Sequence, residues 1–270
     1  MKSVDVKKYD KEYFESKLTS VDYHKKVSPS DFKPLHRNIA TLLKNKPTDF
    51  IIDYGCGNGD LSFLLALQYK SRVLGIDYSK DAIILANKNR RLLSKTKSLD
   101  LKHTSFISCP NNKLPSLSGV TLIYLADVIE HLYDEEIDII IKKFLTWNDK
   151  NLKIVIHTDN NDYLQYIRPF IDTLSVIMRK TTIKQIKARN EWERERHVNL
   201  TTPRELTKKF KNYGFKVTKL KYSPITRQNI QSQLGSLRSV PFLVISIYKL
   251  GNLFSFLLPS FYIILQRQKK

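Results

Sequence analysis

Residues 50–61 read Phe50-Ile51-Ile52-Asp53-Tyr54-Gly55-Cys56-Gly57-Asn58-Gly59-Asp60-Leu61: an apolar run, three glycines at alternate positions, then a helical stripe continued by Leu64 and Leu65. An apolar run without alternation marks a strand buried on both faces, which a sheet covered by helices on both sides provides. A second such run, Val73-Leu74-Gly75-Ile76-Asp77, follows, and Ser79 can cap a helix expected over 81–93. Short strands are expected at 104–107, 120–125 and 152–157, with a helix over 134–147 between the last two. Thr202 and Pro203 open a helix that Gly214 closes, and strands are expected over 215–222 and 260–266. This alternation predicts an α/β fold: a doubly wound, Rossmann-like parallel sheet with helices on both faces.

A strand, a glycine-rich turn and a helix make a nucleotide-binding unit, and the spacing decides which nucleotide. A dinucleotide site wants Gly-x-Gly-x-x-Gly with pyrophosphate at the helix N-terminus. Here the spacing is Gly-x-Gly-x-Gly, with Asp53 before it and Asp60 at the helix start. A helix N-terminus attracts anions, and two carboxylates beside it would offset that attraction. They suit a cofactor with an ammonium and no phosphate, and S-adenosylmethionine, with its amine and cationic sulfonium, is such a molecule. Asp77 lies 18 positions after Gly59 at the tip of the second strand, where a carboxylate can accept both ribose hydroxyls. The candidate cofactor set is Asp53, Tyr54, Gly55, Cys56, Gly57, Gly59, Asp77 and Tyr78, with Pro110 and Asn111 beside the adenine. The competing reading is a structural tight turn with a coincident surface aspartate.

Taken together, these motifs resemble class I S-adenosylmethionine-dependent methyltransferases over about residues 50–222. The closer likeness is to bacterial small-molecule methyltransferases of cell-surface glycan and lipid pathways. It is carried by Tyr9-Asp10-Lys11-Glu12-Tyr13-Phe14, Asp127-Val128-Ile129-Glu130-His131-Leu132, Ile156-His157-Thr158 and His197-Val198-Asn199. The sequence departs where such proteins often carry an aspartate before the adenine loop, here Cys109-Pro110-Asn111, and at Asp159-Asn160-Asn161, where relatives often have Pro-Asn. The rhythm of strands and helices reads as a cofactor-binding core over 46–158. Two short helices, from the stripes Tyr9, Tyr13, Phe14, Leu18 and Leu35, Ile39, Leu42, Leu43, would precede it as an N-terminal helical cap at 1–45, acting as a plain cap on the core or as a lid over a pocket. A basic and aromatic insertion over 159–199 would serve as substrate cap, and 200–270 would complete the sheet.

Methyl transfer is an in-line displacement at an already electrophilic carbon, so the protein must align the acceptor and exclude water. A hydroxyl acceptor also loses a proton, and a general base assists. Asp127, Glu130 and His131 follow the fourth strand, at the end of the sheet where ligands bind. His131 is the candidate base, and Asp127 a contact to the methionine end of the cofactor. Two other readings stand: Glu130 and His131 stiffen the loop through backbone bonds, or Glu130 with a neighbour holds Mg²⁺ against vicinal oxygens. No metal-ligand set is assigned. His157 and His197 are further acceptor-ligand candidates, and Cys56 contributes small size rather than nucleophilicity.

Lys and Arg number 46 against 26 Asp and Glu, a net charge of +20 that favours anionic partners. Glu205 is the last acid; residues 206–270 carry 12 Lys or Arg. Within them, 239–265 holds a single charge, Lys249. After the last strand is subtracted, an apolar helix over about 241–258 remains, packed on the core, lying in a membrane interface or spanning. Lys208, Lys209, Lys211, Lys216, Lys219 and Lys221 would add attraction to anionic lipid. With two cysteines there is no disulfide framework, and the expected setting is a reducing cytoplasm, with membrane association through this segment. The expected partner is a small-molecule or lipid-linked acceptor, its methylated atom a hydroxyl oxygen of a sugar or lipid precursor. Nucleic acid is the alternative acceptor, against which stands Leu125-Ala126-Asp127-Val128 where many amino-group methylators carry an Asn/Asp-Pro-Pro-aromatic signature. A non-catalytic cofactor-binding module is the other alternative.

Overall fold

The computed structural model describes residues 5, 9–10, 13–14, 21–43, 49–96, 101–110, 113–147, 151–223 and 258–268. The apolar helix expected over 241–258 lies outside them except for its last residue, as do Asn111 and much of the first N-terminal helix. After α1 (Pro34–Thr41), strand and helix alternate as β1 (Phe50–Tyr54), α2 (Asp60–Tyr69), β2 (Arg72–Asp77), α3 (Lys80–Lys95), β3 (Thr104–Ser108), β4 (Leu122–Ala126), α4 (Asp134–Trp147) and β5 (Lys153–Asp159). A π-helical turn (Tyr163–Ile167) leads into α5 (Arg168–Ile177) and α6 (Ile183–Arg194), followed by α7 (Pro203–Asn212), β6 (Phe215–Tyr222) and β7 (Ser260–Arg267).

The strands form one seven-stranded sheet in the order β3-β2-β1-β4-β5-β7-β6. The first five run parallel, but β7 lies antiparallel to both β5 and β6. The sheet is therefore mixed, not wholly parallel as expected. An apolar run such as Phe261–Leu265 reports burial on both faces but carries no information on direction.

Successive residues of each strand feed opposite cores, as the pleat requires. Ile52, Ile123, Leu125, Ile154, Ile156, Phe261 and Ile263 point to one face, where Ile137, Ile140, Ile141 and Phe144 of α4 and Leu206 and Phe210 of α7 cover them. Ile51, Leu122, Tyr124, Val155 and Tyr262 point to the other, under Ile39 of α1, Phe63 and Leu65 of α2, and Ala86 and Leu93 of α3. Burying each large apolar side chain contributes about 1.5–3 kcal/mol. The helix starts follow local rules: Ser79 Oγ accepts the Ala82 N–H, and Thr202 with Glu205 closes a capping box at α7. Among the described residues no helix is long and apolar enough to cross a membrane.

The connection after β1 runs through α2 on one face, and that after β4 through α4 on the other. Neighbouring strands β1 and β4 thus send their chains apart at their carboxyl ends and leave a crevice between them.

Candidate active site

The loops after β1, β2, β4 and β5 enclose a cavity of ≈ 350 Å³ at this crevice. Its floor is the glycine turn. Gly55 sits at φ +75°, and a Cβ there would lie 2.4 Å from Val128 Cγ2, so the turn after β1 packs tightly on the loop after β4. The Gly55 and Cys56 N–H groups donate to the Ile76 carbonyl at 2.7 and 3.1 Å, tying the turn to β2.

Asp77 holds two loops at once. Its Oδ2 accepts the Gly57 N–H and its Oδ1 the Ser79 N–H, both at 2.9 Å. Burial pushes its pKa up to about 6, with these N–H bonds opposing the rise. A carboxylate has about four acceptor positions, and the N–H groups of Gly57, Ser79 and Tyr78 take three, so one remains beside the cavity. Asp53, 1% exposed, accepts Ser62 Oγ at 2.6 Å, and burial raises its pKa to about 7. Asp60 behaves differently from the sequence expectation: it takes the Tyr23 hydroxyl of the N-terminal segment and does not line the cavity. The cavity wall includes Tyr54, Cys56 and Tyr78. Gly59 lies outside it, packed against Phe63, and Pro110 is exposed outside it. Burial drives the Cys56 thiol well above its usual pKa, which leaves no thiolate nucleophile.

The opposite wall comes from the tips of β4 and β5. Asp127 is held at φ +55°, a strained position for a residue with a side chain. Its N–H donates to the His157 carbonyl at 3.0 Å, and its Oδ1 meets His157 Nδ1 at 2.5 Å. His157 Nε2 meets Ser260 Oγ at 2.9 Å. Burial acts to raise the Asp127 pKa, but the His157 charge and hydrogen bond outweigh it and hold the carboxyl below the usual range. Glu130 accepts Thr158 Oγ1 at 2.8 Å, and burial, then the charges of Asp127 and Asp159, drives it well upward, so it is a neutral acid. Among the described residues no group of three or more His, Cys, Asp or Glu side chains is placed to hold a metal ion.

His131 joins two distant segments. Its Nδ1 lies 3.1 Å from the Arg196 carbonyl and 2.9 Å from the Tyr9 hydroxyl. A carbonyl only accepts, so Nδ1 carries the proton and Nε2 keeps the lone pair. Burial, then the neighbouring His197, lowers its pKa to about 4 and keeps the ring neutral. The His197 ring packs edge-on at 4.9 Å, and its Nδ1 stands 3.7 Å from Asp159.

His36 and Asp159, neither of them among the candidate site residues, join the cavity, Asp159 from the Asp159-Asn160-Asn161 run that stands where relatives often have Pro-Asn. The signal for His36 is its register, since it shares a helical face with the buried Ile39, Ala40 and Leu43. Burial lowers its pKa to about 4. The aromatic rings of Tyr9, Tyr13 and Trp192 complete the roof. Four aspartates (Asp53, Asp77, Asp127 and Asp159) and several aromatic faces around one cavity suit an organic cation, and the tightly packed glycine turn leaves room for a nucleoside against backbone.

A family model described as a methyltransferase domain matches residues 28–220. The mitochondrial ubiquinone biosynthesis O-methyltransferase of Dictyostelium discoideum is 26% identical over 226 residues, covering 76% of this chain. The chain spans 59% of the length of that relative. Among solved structures, a geranyl diphosphate methyltransferase in complex with GPP and sinefungin superposes with a TM-score of 0.58 at 14% identity, over 86% of this chain and 76% of that one. Magnesium protoporphyrin IX methyltransferase from Synechocystis PCC 6803, with bound SAH, gives a TM-score of 0.53 at 14% identity, over 86% and 82% of the two chains. At these identities the two structures bear on the fold alone. The family match takes in the glycine turn and the four strand tips that build the cavity, across well over half of the sequence, and the chain belongs to the methyltransferase-domain family.

Proposed function

We propose that this protein transfers a methyl group from S-adenosylmethionine to a hydroxyl oxygen of a small acceptor, a sugar or lipid precursor presented at a membrane surface. The observation that carries the reading is the joining, in one cavity, of an acid-lined glycine turn to a neutral histidine with one nitrogen tied down. S-adenosylmethionine supplies an electrophilic methyl carbon on a sulfonium. Asp77 would hold the ribose through its remaining lone pair, and Asp53 and Asp127 would balance the positive charge. The backbone of the turn would pack against the nucleoside without side-chain bulk.

With S-adenosylmethionine bound, the acceptor oxygen would form its bond to the methyl carbon as the carbon–sulfur bond breaks and its electron pair stays on the departing S-adenosylhomocysteine, and His131 Nε2 would take the proton of the acceptor hydroxyl. The Arg196 carbonyl on Nδ1 steadies the imidazolium that results. Burial makes His131 a weak base, so its gain comes from position and from loss of the proton late in the step. His157 holds Asp127 in its strained backbone position. The O-methyltransferase among the relatives supports an oxygen acceptor. The excess of basic residues after Glu205 supports an anionic or lipid-linked one.

The test is incubation with methyl-labelled S-adenosylmethionine and separated membrane and soluble extracts. Label is expected in an extractable small molecule of the membrane fraction, and base-stable label would mark an ether rather than an ester. Label in RNA, with a salt-dependent electrophoretic shift, would move the reading to nucleic acid. Cofactor binding with no labelled product in any fraction would leave only a binding module.

A further inference from the structure

One surface beside the cavity is not used by the chemistry above. Helices α5 and α6 form an antiparallel hairpin, bolted by Arg168 to both oxygens of Glu193 at 2.6 Å and by Arg189 to Asp172 at 2.5 Å. Opposite these rungs, the π-helical turn carries Tyr166 and α5 carries Phe170 and Ile177, 70%, 54% and 72% exposed, and Ile183 opens α6 at 62%. Positions 166, 170 and 177 are i, i+4 and i+11, one stripe of a helix. Around the hairpin tip stand Arg179, Lys180, Lys184 and Lys187, all exposed, and no acidic residue occurs between Asp172 and Glu191. Soluble proteins seldom leave such side chains uncovered together. Apolar side chains along one face of a hairpin, with cations around its turn, are the pattern of an element that lies in a lipid interface. An acidic protein partner would account for the cations but not for the projecting rings.

We infer that the α5–α6 hairpin docks on an anionic lipid bilayer, with Phe170, Ile177 and Ile183 below the headgroups and Arg179, Lys180, Lys184 and Lys187 on the phosphates. The far end of the same hairpin carries Trp192, and His197 follows it; both line the cavity. Docking along this face would therefore set the roof of the cavity beside the bilayer. The inference rests on the proposed lipid-linked acceptor for its purpose but not for its test. It also assigns the membrane contact to a different part of the chain from residues 241–258.

The test is flotation of the full chain with vesicles of phosphatidylcholine alone and of phosphatidylcholine mixed with phosphatidylglycerol. The parent is expected to float only with the anionic vesicles. Each basic residue near a charged surface contributes about fivefold in partition. The variant Arg179→Glu/Lys180→Glu/Lys184→Glu should therefore lose at least about a hundredfold, and Phe170→Ser/Ile177→Ser/Ile183→Ser should lose a comparable factor. Both variants should keep the parental melting midpoint and the parental heat of S-adenosylmethionine binding. A parent that stays at the bottom with both vesicle types overturns the inference, as does full flotation of both variants. A parent that fails to float but dimerises in sedimentation, with the dimer lost in the serine variant, gives the face to a second copy and also overturns it. Absence of cofactor heat in parent and variants alike would strike the proposed function and leave the vesicle result standing.

Discussion

The same burial drives the acids and the histidines around the cavity in opposite directions. Asp77 and Asp159 are raised to about 6, whereas His36 and His131 are lowered to about 4. For the acids, the folded state holds protons that the unfolded state has released, so their contribution to stability is fullest below the unfolded value and is lost as pH rises through about 6. For the histidines the unfolded state is protonated first, so stability is lost as pH falls from the unfolded value near 6.5 towards the folded value of about 4. The two effects overlap and largely cancel, so a single variant is needed to expose either. His131→Asn cannot titrate. Its stability measured at pH 5, relative to its own value at pH 7.5, should exceed that of the parent by about 1–3 kcal/mol in denaturant melts. Equal pH dependence in the two proteins would mean His131 titrates freely.

Asp77 gives the second prediction at this scale. Its charge is present above about pH 6 and lost below it, so kcat/KM for S-adenosylmethionine should fall on the acid side near that pH. Asp77→Asn removes the charge and, with a single oxygen, can accept only one of the Gly57 and Ser79 N–H groups, so it should flatten this limb and lower kcat/KM at pH 8. Asp77→Ala should weaken cofactor binding about a hundredfold at pH 8, read by calorimetry, since a charge-assisted hydrogen bond contributes up to about 3 kcal/mol.

At the scale of elements, the glycine turn is the tightest joint. Gly55 combines a positive φ with a contact that a methyl group cannot enter, because Val128 Cγ2 already occupies the place. Gly55→Ala should cost about 3 kcal/mol or more, from backbone strain and overpacking together, and should abolish cofactor binding. Adding Val128→Ala should restore part of the stability but not the strain component, and full restoration would place the whole cost in the clash. This joint was legible because its signal is local: an apolar run, then glycines at fixed offsets, then a capped helix. The strand tips bearing Asp53, Asp77, Asp127 and His157 were legible for the same reason. The partners of those side chains were not. Nothing in sequence says that Asp60 turns to Tyr23, that the Arg196 carbonyl finds His131, or that Ser260 backs His157, because each pairing spans 37 to 103 residues. The direction of β7 was hidden too, since apolar periodicity is blind to it. The stretch over 159–199 showed its charge and its aromatics but not its hairpin, because the pairing of Arg168 with Glu193 and Arg189 with Asp172 depends on how the two helices cross.

For the whole molecule, the roof is made of two pieces far apart in the chain. The N-terminal segment brings Tyr9, whose hydroxyl reaches His131 and whose carbonyl accepts Ser79 Oγ at 3.0 Å, while Tyr9 and Phe14 pack on Ala82 and Leu85 of α3. The α6 end brings Trp192, whose ring lies 6.4 Å from that of Tyr13 at an interplanar angle of 16°, and the Arg196 carbonyl on the same His131 nitrogen. A nucleoside held beneath is expected to leave as these pieces part. The two cores on the faces of the sheet contain none of Tyr9, Tyr13 and Phe14. Deletion of residues 1–20 should therefore leave the sheet folded, with cooperative melting retained. Opening the roof normally exposes those aromatic rings, at about 1.5–3 kcal/mol for each that becomes fully wetted. Losing even one such ring from the opening step lowers the barrier enough for about tenfold faster exit. Stopped-flow release of S-adenosylhomocysteine from the deleted protein should then be at least about tenfold faster than from the parent, with a raised KM for the cofactor. An unchanged release rate would mean that the N-terminal segment rests on the molecule without closing it.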